Sequence, residues 1–173
     1  MVKLLILSFL MSSSIILYQF SQNSAKSDWR IVDDVVMGGR SDGSFRINED
    51  GNGVFEGSVS LENNGGFSSV RHSETFQIQS QKTIKIQLKG DGSNYQFRVK
   101  SSASDRHSYI SDFQTSGEWE TIEIRLAEMY PAFRGRKLSI PDFDQDQIVE
   151  IAFLIGNKKP QEFKLEIKSI ELL

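Results

Sequence analysis

Apolar and polar side chains alternate along most of the chain. Apolar residues occupy every second position in five segments, residues 82–88, 94–100, 122–126, 149–155 and 163–167. A period of two over four to eight residues predicts β-strands with one buried face and one solvated face. The last segment changes parity, because Ile170 and Leu172 follow Ile167. We therefore expect a β-bulge near Lys168 and Ser169.

No segment of similar length has a helical period, although residues 126–133 could hold a single helical turn before Pro131. Turn-forming residues separate the alternating runs at 63–66, 90–92 and 156–157. Short strands at this spacing favour an antiparallel β-sandwich over a parallel sheet with crossover helices. We interpret residues 15–173 as one all-β domain without a linker.

The N-terminus resembles a short signal peptide. Lys3 precedes the apolar segment 4–11, and Ser12 and Ser14 provide small residues for cleavage. Serines and a glutamine interrupt the apolar stretch up to Phe20, which argues against a transmembrane helix. We expect residues 1–14 to be a signal-like segment that exports the protein or associates it with a membrane. An uncleaved tail on a cytoplasmic protein remains the alternative.

The composition argues against several kinds of partner and functional site. The net charge of -3 and the pI near 5.5 argue against nucleic acid as a partner. The chain has no cysteine, which excludes disulfides, thiolate catalysis and zinc–thiolate sites. It has only two histidines, His72 and His107, so it cannot supply a three-histidine metal site.

The glycines are concentrated in one part of the chain. Eight of the thirteen lie between Gly38 and Gly66. Segment 36–45 lacks the Lys-Ser or Lys-Thr pair of a phosphate-binding loop, and a strand rather than a helix follows it. We interpret it as a tight turn, and we expect positive φ for at least one glycine in each of the pairs 38–39 and 65–66.

Other polar and aromatic residues allow weaker hypotheses. Asp33, Asp34 and Asp42 could supply oxygen ligands to a structural calcium ion, or they could cap turns in a polar loop. No nucleophile motif surrounds His72, which is best interpreted as a surface or edge-strand histidine. The two tryptophans, at positions 29 and 119, are expected in the core or at its rim.

Two long blocks and several short ones resemble a known family. Residues 28–41 (DWRIVDDVVMGGRS) and 55–71 (FEGSVSLENNGGFSSVR) are similar to the two leading signatures of the complex I intermediate-associated protein 30 family. Further matching segments lie at 119–121, 133–136, 151–155 and 163–167, so the resemblance covers nearly all of residues 15–173.

The resemblance implies a galactose-binding-like jelly-roll sandwich in which residues 17–20 belong to the first strand. The best-known members are assembly chaperones of mitochondrial respiratory complex I. The family offers no catalytic residues and no cofactor to carry over. We therefore expect a non-enzymatic protein-binding domain, assembly-factor or chaperone-like, whose client could belong to a membrane respiratory complex. The alternatives are a carbohydrate-binding module of the same superfamily and, with least support, a hydrolase.

The candidate partner-binding residues lie in and beside the glycine-rich segments. Glycines allow close approach of a partner's backbone, and arginines offer forked donors to carboxylates and carbonyls. Shaping the fold is the alternative role for the same residues. They are Asp33, Asp34, Gly38, Gly39, Arg40, Ser41, Asn63, Asn64 and Arg71.

Each function predicts a different surface. Protein binding predicts an exposed apolar patch on a sheet face or edge. Carbohydrate binding predicts a concave face with co-planar exposed aromatic rings and paired polar groups. An enzyme predicts a deep pocket with perturbed carboxylates.

Overall fold

A computed structural model describes residues 14–173, except for the side chains of Val36 and Met37. The expected signal-like segment, residues 1–14, lies outside this part apart from Ser14. Within it the chain forms the strands β1 (Ile15–Gln19), β2 (Trp29–Asp33), β3 (Asp42–Ile47), β4 (Gly53–Val59), β5 (Ser68–His72), β6 (Phe76–Gln77), β7 (Thr83–Lys89), β8 (Asn94–Lys100), β9 (Ser108–Gln114), β10 (Trp119–Arg125), β11 (Tyr130–Phe133), β12 (Arg136–Lys137), β13 (Gln147–Ile148), β14 (Glu150–Ile155) and β15 (Gln161–Leu172).

Two antiparallel sheets form a jelly-roll sandwich, as the alternation and the family resemblance predict. The six-stranded sheet has the order β10-β7-β15-β4-β3. Its sixth strand, β1, pairs with residues 169–172 of β15, whereas β4 pairs with residues 161–167 of the same strand. The seven-stranded sheet has the order β12-β11-β9-β8-β14-β5-β2, and β6 and β13 form a small separate ladder. The fold is therefore all-β, with short connecting turns.

The core lies between the two sheets and follows the predicted alternation. Buried and partly exposed positions alternate without interruption along β7 and β8. In β15 the register shifts between Ile167 and Ser169, and both Ile167 and Ile170 are buried. The predicted β-bulge is confirmed: one extra residue returns the later apolar side chains to the core.

Helical structure in the described part is limited to short 3-10 turns. The turn predicted before Pro131 is present as Leu126–Glu128, and the others are Lys26–Asp28, Asp34–Met37 and Glu62–Asn64. Between residues 14 and 173, no helix has the length and apolar character that crossing a membrane requires.

An aromatic cluster closes the core where β1, β2, β3 and β5 meet, and it includes His72. The interpretation of His72 as a surface or edge-strand residue is wrong. Its strand β5 lies between β14 and β2, and the residue is 6% exposed. The imidazole stacks on Trp29 with ring centroids 5.2 Å apart, and Nδ1 lies 2.9 Å from the carbonyl oxygen of Asp28. Trp29 is in the core as expected.

The first strand belongs to the folded domain. β1 pairs with β15, and Leu17 is 1% exposed whereas its neighbour Ile16 is 58% exposed. We expect Leu17→Ala to lower the free energy of unfolding by about 2–5 kcal/mol, because it leaves a cavity in the core. Ile16→Ala is the matched control and should change it by less than about 0.5 kcal/mol. Chemical denaturation of both variants measures the difference; equal, small effects would contradict a structural role for β1.

Candidate functional site

Two loops carrying the family's leading signatures meet at one end of the sandwich. The first, residues 34–41, connects β2 to β3, and the second, residues 60–67, connects β4 to β5. The amide nitrogen Nδ2 of Asn63 donates to the carbonyl oxygen of Gly38 at 2.8 Å. Arg40 and Glu62 form an exposed ion pair with 3.2 Å between Nη1 and Oε2. We call these two segments together the loop pair.

The carboxylate of Asp34 holds the loop pair together from inside. Its Oδ2 accepts hydrogen bonds from the Ser41 hydroxyl at 2.6 Å and from the backbone N–H groups of Gly66 and Phe67. Its Oδ1 accepts the backbone N–H of Ser41 at 3.2 Å. Burial by itself would raise the pKa of Asp34, but these hydrogen bonds outweigh it and leave the pKa below its usual value.

The paired glycines fulfil two different requirements. Gly38 and Gly66 have φ of +83° and +140°, so the expectation of positive φ in each pair is confirmed. Gly39 and Gly65 are needed for space: an added Cβ would lie 2.2 Å and 2.5 Å from the carboxylate oxygens of Asp34. The glycine pairs let the backbone turn and close tightly around one carboxylate.

The hydrogen-bond donors around the aspartates argue against a calcium site there. The Asp34 carboxylate accepts four hydrogen bonds, which is the capacity of its two oxygens. Asp33 accepts from the Ser68 hydroxyl at 2.5 Å and from the Gly43 N–H at 3.0 Å. Nowhere in residues 14–173 do three or more His, Asp or Glu residues gather in a group that could hold a metal ion.

The outer surface of the loop pair is partly apolar. Val35 is 59% exposed and Leu61 is 41% exposed, one on each loop. Eight of the nine candidate partner-binding residues lie in the loop pair or immediately before it: Asp33, Asp34, Gly38, Gly39, Arg40, Ser41, Asn63 and Asn64. The ninth, Arg71, lies elsewhere, at an outward position of β5, the strand next to the edge strand β2.

Arg71 belongs to a row of side chains across the outer face of the seven-stranded sheet. The cross-strand pairs place the row on β2, β5, β14, β8, β9 and β11, in the order Arg30, Arg71, Ala152, Arg98, Ile110 and Tyr130. The alternation of β8 assigns Arg98 to the side away from the core, whereas Ala152 and Ile110 are only 3% and 2% exposed. Strand order is needed to bring the row together. The sequence therefore did not reveal Arg98 as a neighbour of Arg71.

Arg98 has a positive charge without a directly bound carboxylate. Its Nε donates to Oε1 of Gln96 at 3.0 Å, and Nε2 of the same amide donates to Asp112 at 2.8 Å. Asp112 also accepts the Tyr130 hydroxyl at 2.6 Å. Burial and then the nearby charge of Arg71 lower the pKa of Arg98 to about 10.

Arg71 shares one carboxylate with a second arginine. Glu150 lies 2.9 Å from Nη2 of Arg30 and 3.5 Å from Nη1 of Arg71. The Nε of Arg71 is buried and has no hydrogen-bond partner among the described residues. Burial lowers the pKa of Arg71, and the carboxylate of Glu150 opposes that effect.

The six-stranded sheet carries a different kind of surface. Trp119, on the edge strand β10, is 43% exposed on the outward side of the strand, so the expectation of a core or rim position is wrong for this tryptophan. Its ring borders a depression of about 320 Å³ whose remaining lining is polar. The other lining residues are Asp50, Asn52, Gln87, Glu166 and Lys168.

Comparison with known families identifies the family of the chain. The model of the family described as Complex I intermediate-associated protein 30 (CIA30) matches residues 18–167. The chain belongs to the CIA30 family. The chain is also similar to the uncharacterized protein C9E9.15 of Schizosaccharomyces pombe, with 26% identity over 183 residues and with 92% of this chain and 84% of the relative covered.

Several solved carbohydrate-binding modules share the fold of this CIA30 domain. The family 11 module of Clostridium thermocellum, in complex with a β-1,3-1,4-mixed-linked tetrasaccharide, superposes with a TM-score of 0.68. The identity is 17%, over 92% of this chain and 95% of the module. A K85A mutant of the family 29 module CBM29-2 has a TM-score of 0.55 and 10% identity, over 94% of this chain and 92% of that one. At these identities the likeness establishes the fold alone.

Substitution of Asp34 tests whether its buried carboxylate stabilises the loop pair. We expect Asp34→Asn to reduce the free energy of unfolding by about 1–3 kcal/mol, because an amide cannot accept all four hydrogen bonds. The folded pKa of Asp34 is lowered, so its contribution is present above the unfolded pKa of about 3.9 and is lost as the pH falls through the folded value.

The measurement is denaturant unfolding of wild type and variant across pH 2–7. The difference in free energy of unfolding between wild type and variant should be largest near neutral pH and should decrease in the acidic range. Asp42→Asn, on an exposed aspartate of β3, is the control and should have little effect at any pH. An Asp34→Asn difference that does not depend on pH would contradict the role of the ionised carboxylate.

Proposed function

We propose that the protein is a non-enzymatic protein-binding domain that acts as an assembly factor or chaperone, with the loop pair as its client-binding surface. The observation that carries the proposal is the pair of exposed apolar side chains, Val35 and Leu61, on two loops fastened by one buried carboxylate. Rigid loops on a β-sandwich are a common place for recognition, because the scaffold fixes their position. Exposed apolar side chains on such loops are suited to a protein surface.

Family membership supports this function over catalysis. The family's description names a protein associated with intermediates of complex I, and a membrane respiratory complex is the client that this description suggests. The described carboxylate with a lowered pKa, Asp34, is engaged by hydrogen bonds within the loop pair and is 6% exposed. It is therefore poorly placed to act as a catalytic acid or base.

Capture of clients from native membranes tests the proposal. The full chain is used as bait, and the bound proteins are identified by mass spectrometry. Val35→Asp and Leu61→Asp should each reduce recovery of the client by about tenfold, because each places a charge in an apolar contact. Ile140→Asp is the matched control, since Ile140 is also exposed but lies outside the loop pair. Equal recovery with all three variants and wild type would contradict the proposal.

Carbohydrate binding is the second candidate function, and the depression beside Trp119 favours it. An exposed indole can stack on the apolar face of a sugar ring, while amide, carboxylate and ammonium groups around it can bind hydroxyl groups. Similar folds occur in modules that bind oligosaccharides, such as the family 11 module with its bound tetrasaccharide.

A glycan array with the full chain distinguishes this second function. If it holds, Trp119→Ala should abolish a positive signal, whereas Thr121→Ala, at the next outward position of β10, should preserve it. Sugar binding at the depression would be contradicted if the wild type gave no signal, or if the signal persisted in Trp119→Ala.

A further inference from the structure

The outer face of the seven-stranded sheet brings two arginines to either side of an alanine. Ala152 on β14 is the cross-strand partner of Arg71 on β5 and of Arg98 on β8. Neighbouring strands lie about 4.8 Å apart, so the two arginine Cα atoms are separated by about 10 Å. A methyl group is the only side chain between them, and two long guanidinium side chains can therefore approach a common ligand above it.

The charges around this pair do not cancel. Arg98 forms no ion pair with any described carboxylate, because Gln96 lies between it and Asp112. Arg71 and Arg30 share the single carboxylate of Glu150. The two guanidiniums therefore retain positive charge on a partly dehydrated surface, where an anion would be bound more strongly than in open water.

The donor atoms are also incompletely used. Among the described residues, Nε and Nη2 of Arg98 donate to one acceptor, the amide oxygen of Gln96. The Nε of Arg71 is buried, so the Nη atoms of this partly exposed side chain are the donors that a ligand can reach. A guanidinium has five N–H donors in a planar fork that matches the two oxygens of a carboxylate. Each arginine thus has donors left for an anionic ligand.

We propose that Arg71 and Arg98 form a receptor for the carboxylate of an acidic side chain in an extended peptide segment of a partner protein. The segment lies along the outer face of the seven-stranded sheet. This surface is separate from the loop pair, so the proposal does not depend on Val35 or Leu61.

The surroundings of the two arginines favour a peptide over an acidic polysaccharide. The neighbouring outward positions Ala152, Leu154 and Ile110 are aliphatic, but they are only 3%, 7% and 2% exposed and offer little surface to a ligand. Tyr130 is the aromatic residue in the row, but its hydroxyl is bound to Asp112 and Lys137 lies 5.2 Å above its ring. A sugar ring would therefore lack a free aromatic surface on which to stack, whereas an extended peptide can present its carboxylate to the two guanidiniums without stacking.

A direct binding measurement with the full chain tests the receptor. The probe is a blocked nonapeptide with glutamate at every second position, which places the carboxylates on one side of an extended chain. The comparison peptide has glutamine at the same positions. Titrations at low and physiological salt are followed by the NMR signals of the arginine Nε–H groups and by isothermal calorimetry. We expect the glutamate peptide to bind, to shift the Arg71 and Arg98 signals, and to weaken with salt.

Single substitutions locate the site. Arg71→Gln and Arg98→Gln should each weaken binding by about tenfold or more, since each removes a charge-assisted hydrogen-bond donor group. Arg125→Gln removes the same charge from an exposed arginine on the other sheet and should leave binding unchanged. Arg98→Lys keeps the charge but loses the planar fork, and it should also weaken binding. Melting temperatures show which variants are folded, and the NMR shifts of the wild type test the site without any substitution.

Three results would overturn the proposal. One is equal binding of the glutamine and glutamate peptides. Another is a loss in Arg125→Gln as large as that in Arg98→Gln. The third is tighter binding, through the same two arginines, of a galacturonate oligomer or of inorganic phosphate than of the glutamate peptide.

Discussion

A single buried carboxylate determines the shape of one end of this sandwich. Asp34 accepts hydrogen bonds from both segments of the loop pair, and the surrounding backbone is close enough that Gly39 and Gly65 have no room for a side chain. Ser41, the glycines and the aspartate therefore form one interdependent unit. The exposed positions of the two loops are held in place by this unit, so their arrangement depends on an interaction that is buried.

Part of the fold could be predicted because five strands carry a periodic signal of their own. The alternation identified β7, β8, β10, β14 and β15, and the change in parity after Ile167 located a bulge to within one residue. The glycine pairs indicated positive φ correctly, but only half of their members need it. The requirement for space at Gly39 and Gly65 comes from Asp34, which is close in the fold and not adjacent along the chain.

The surfaces could not be predicted to the same extent, because they depend on strand order. Alternation assigns Arg98 to the outside of its strand, but it does not show that β14 lies between β8 and β5, with a small residue between Arg98 and Arg71. The wrong prediction of His72 as a surface or edge-strand residue has the same cause. Its local sequence is compatible with an edge, and only the pairing of β5 with both β14 and β2 makes it a buried residue.

The position of β15 has a consequence for folding during synthesis. This strand lies in the middle of the six-stranded sheet, in contact with β7, β4 and β1. β7, the last of these three neighbours along the chain, ends at Lys89, whereas β15 begins at Gln161, so the ribosome makes all three long before the strand that joins them. Until then their pairing edges are unoccupied and open to incorrect association. Completion of this sheet must therefore be a late event in folding during synthesis.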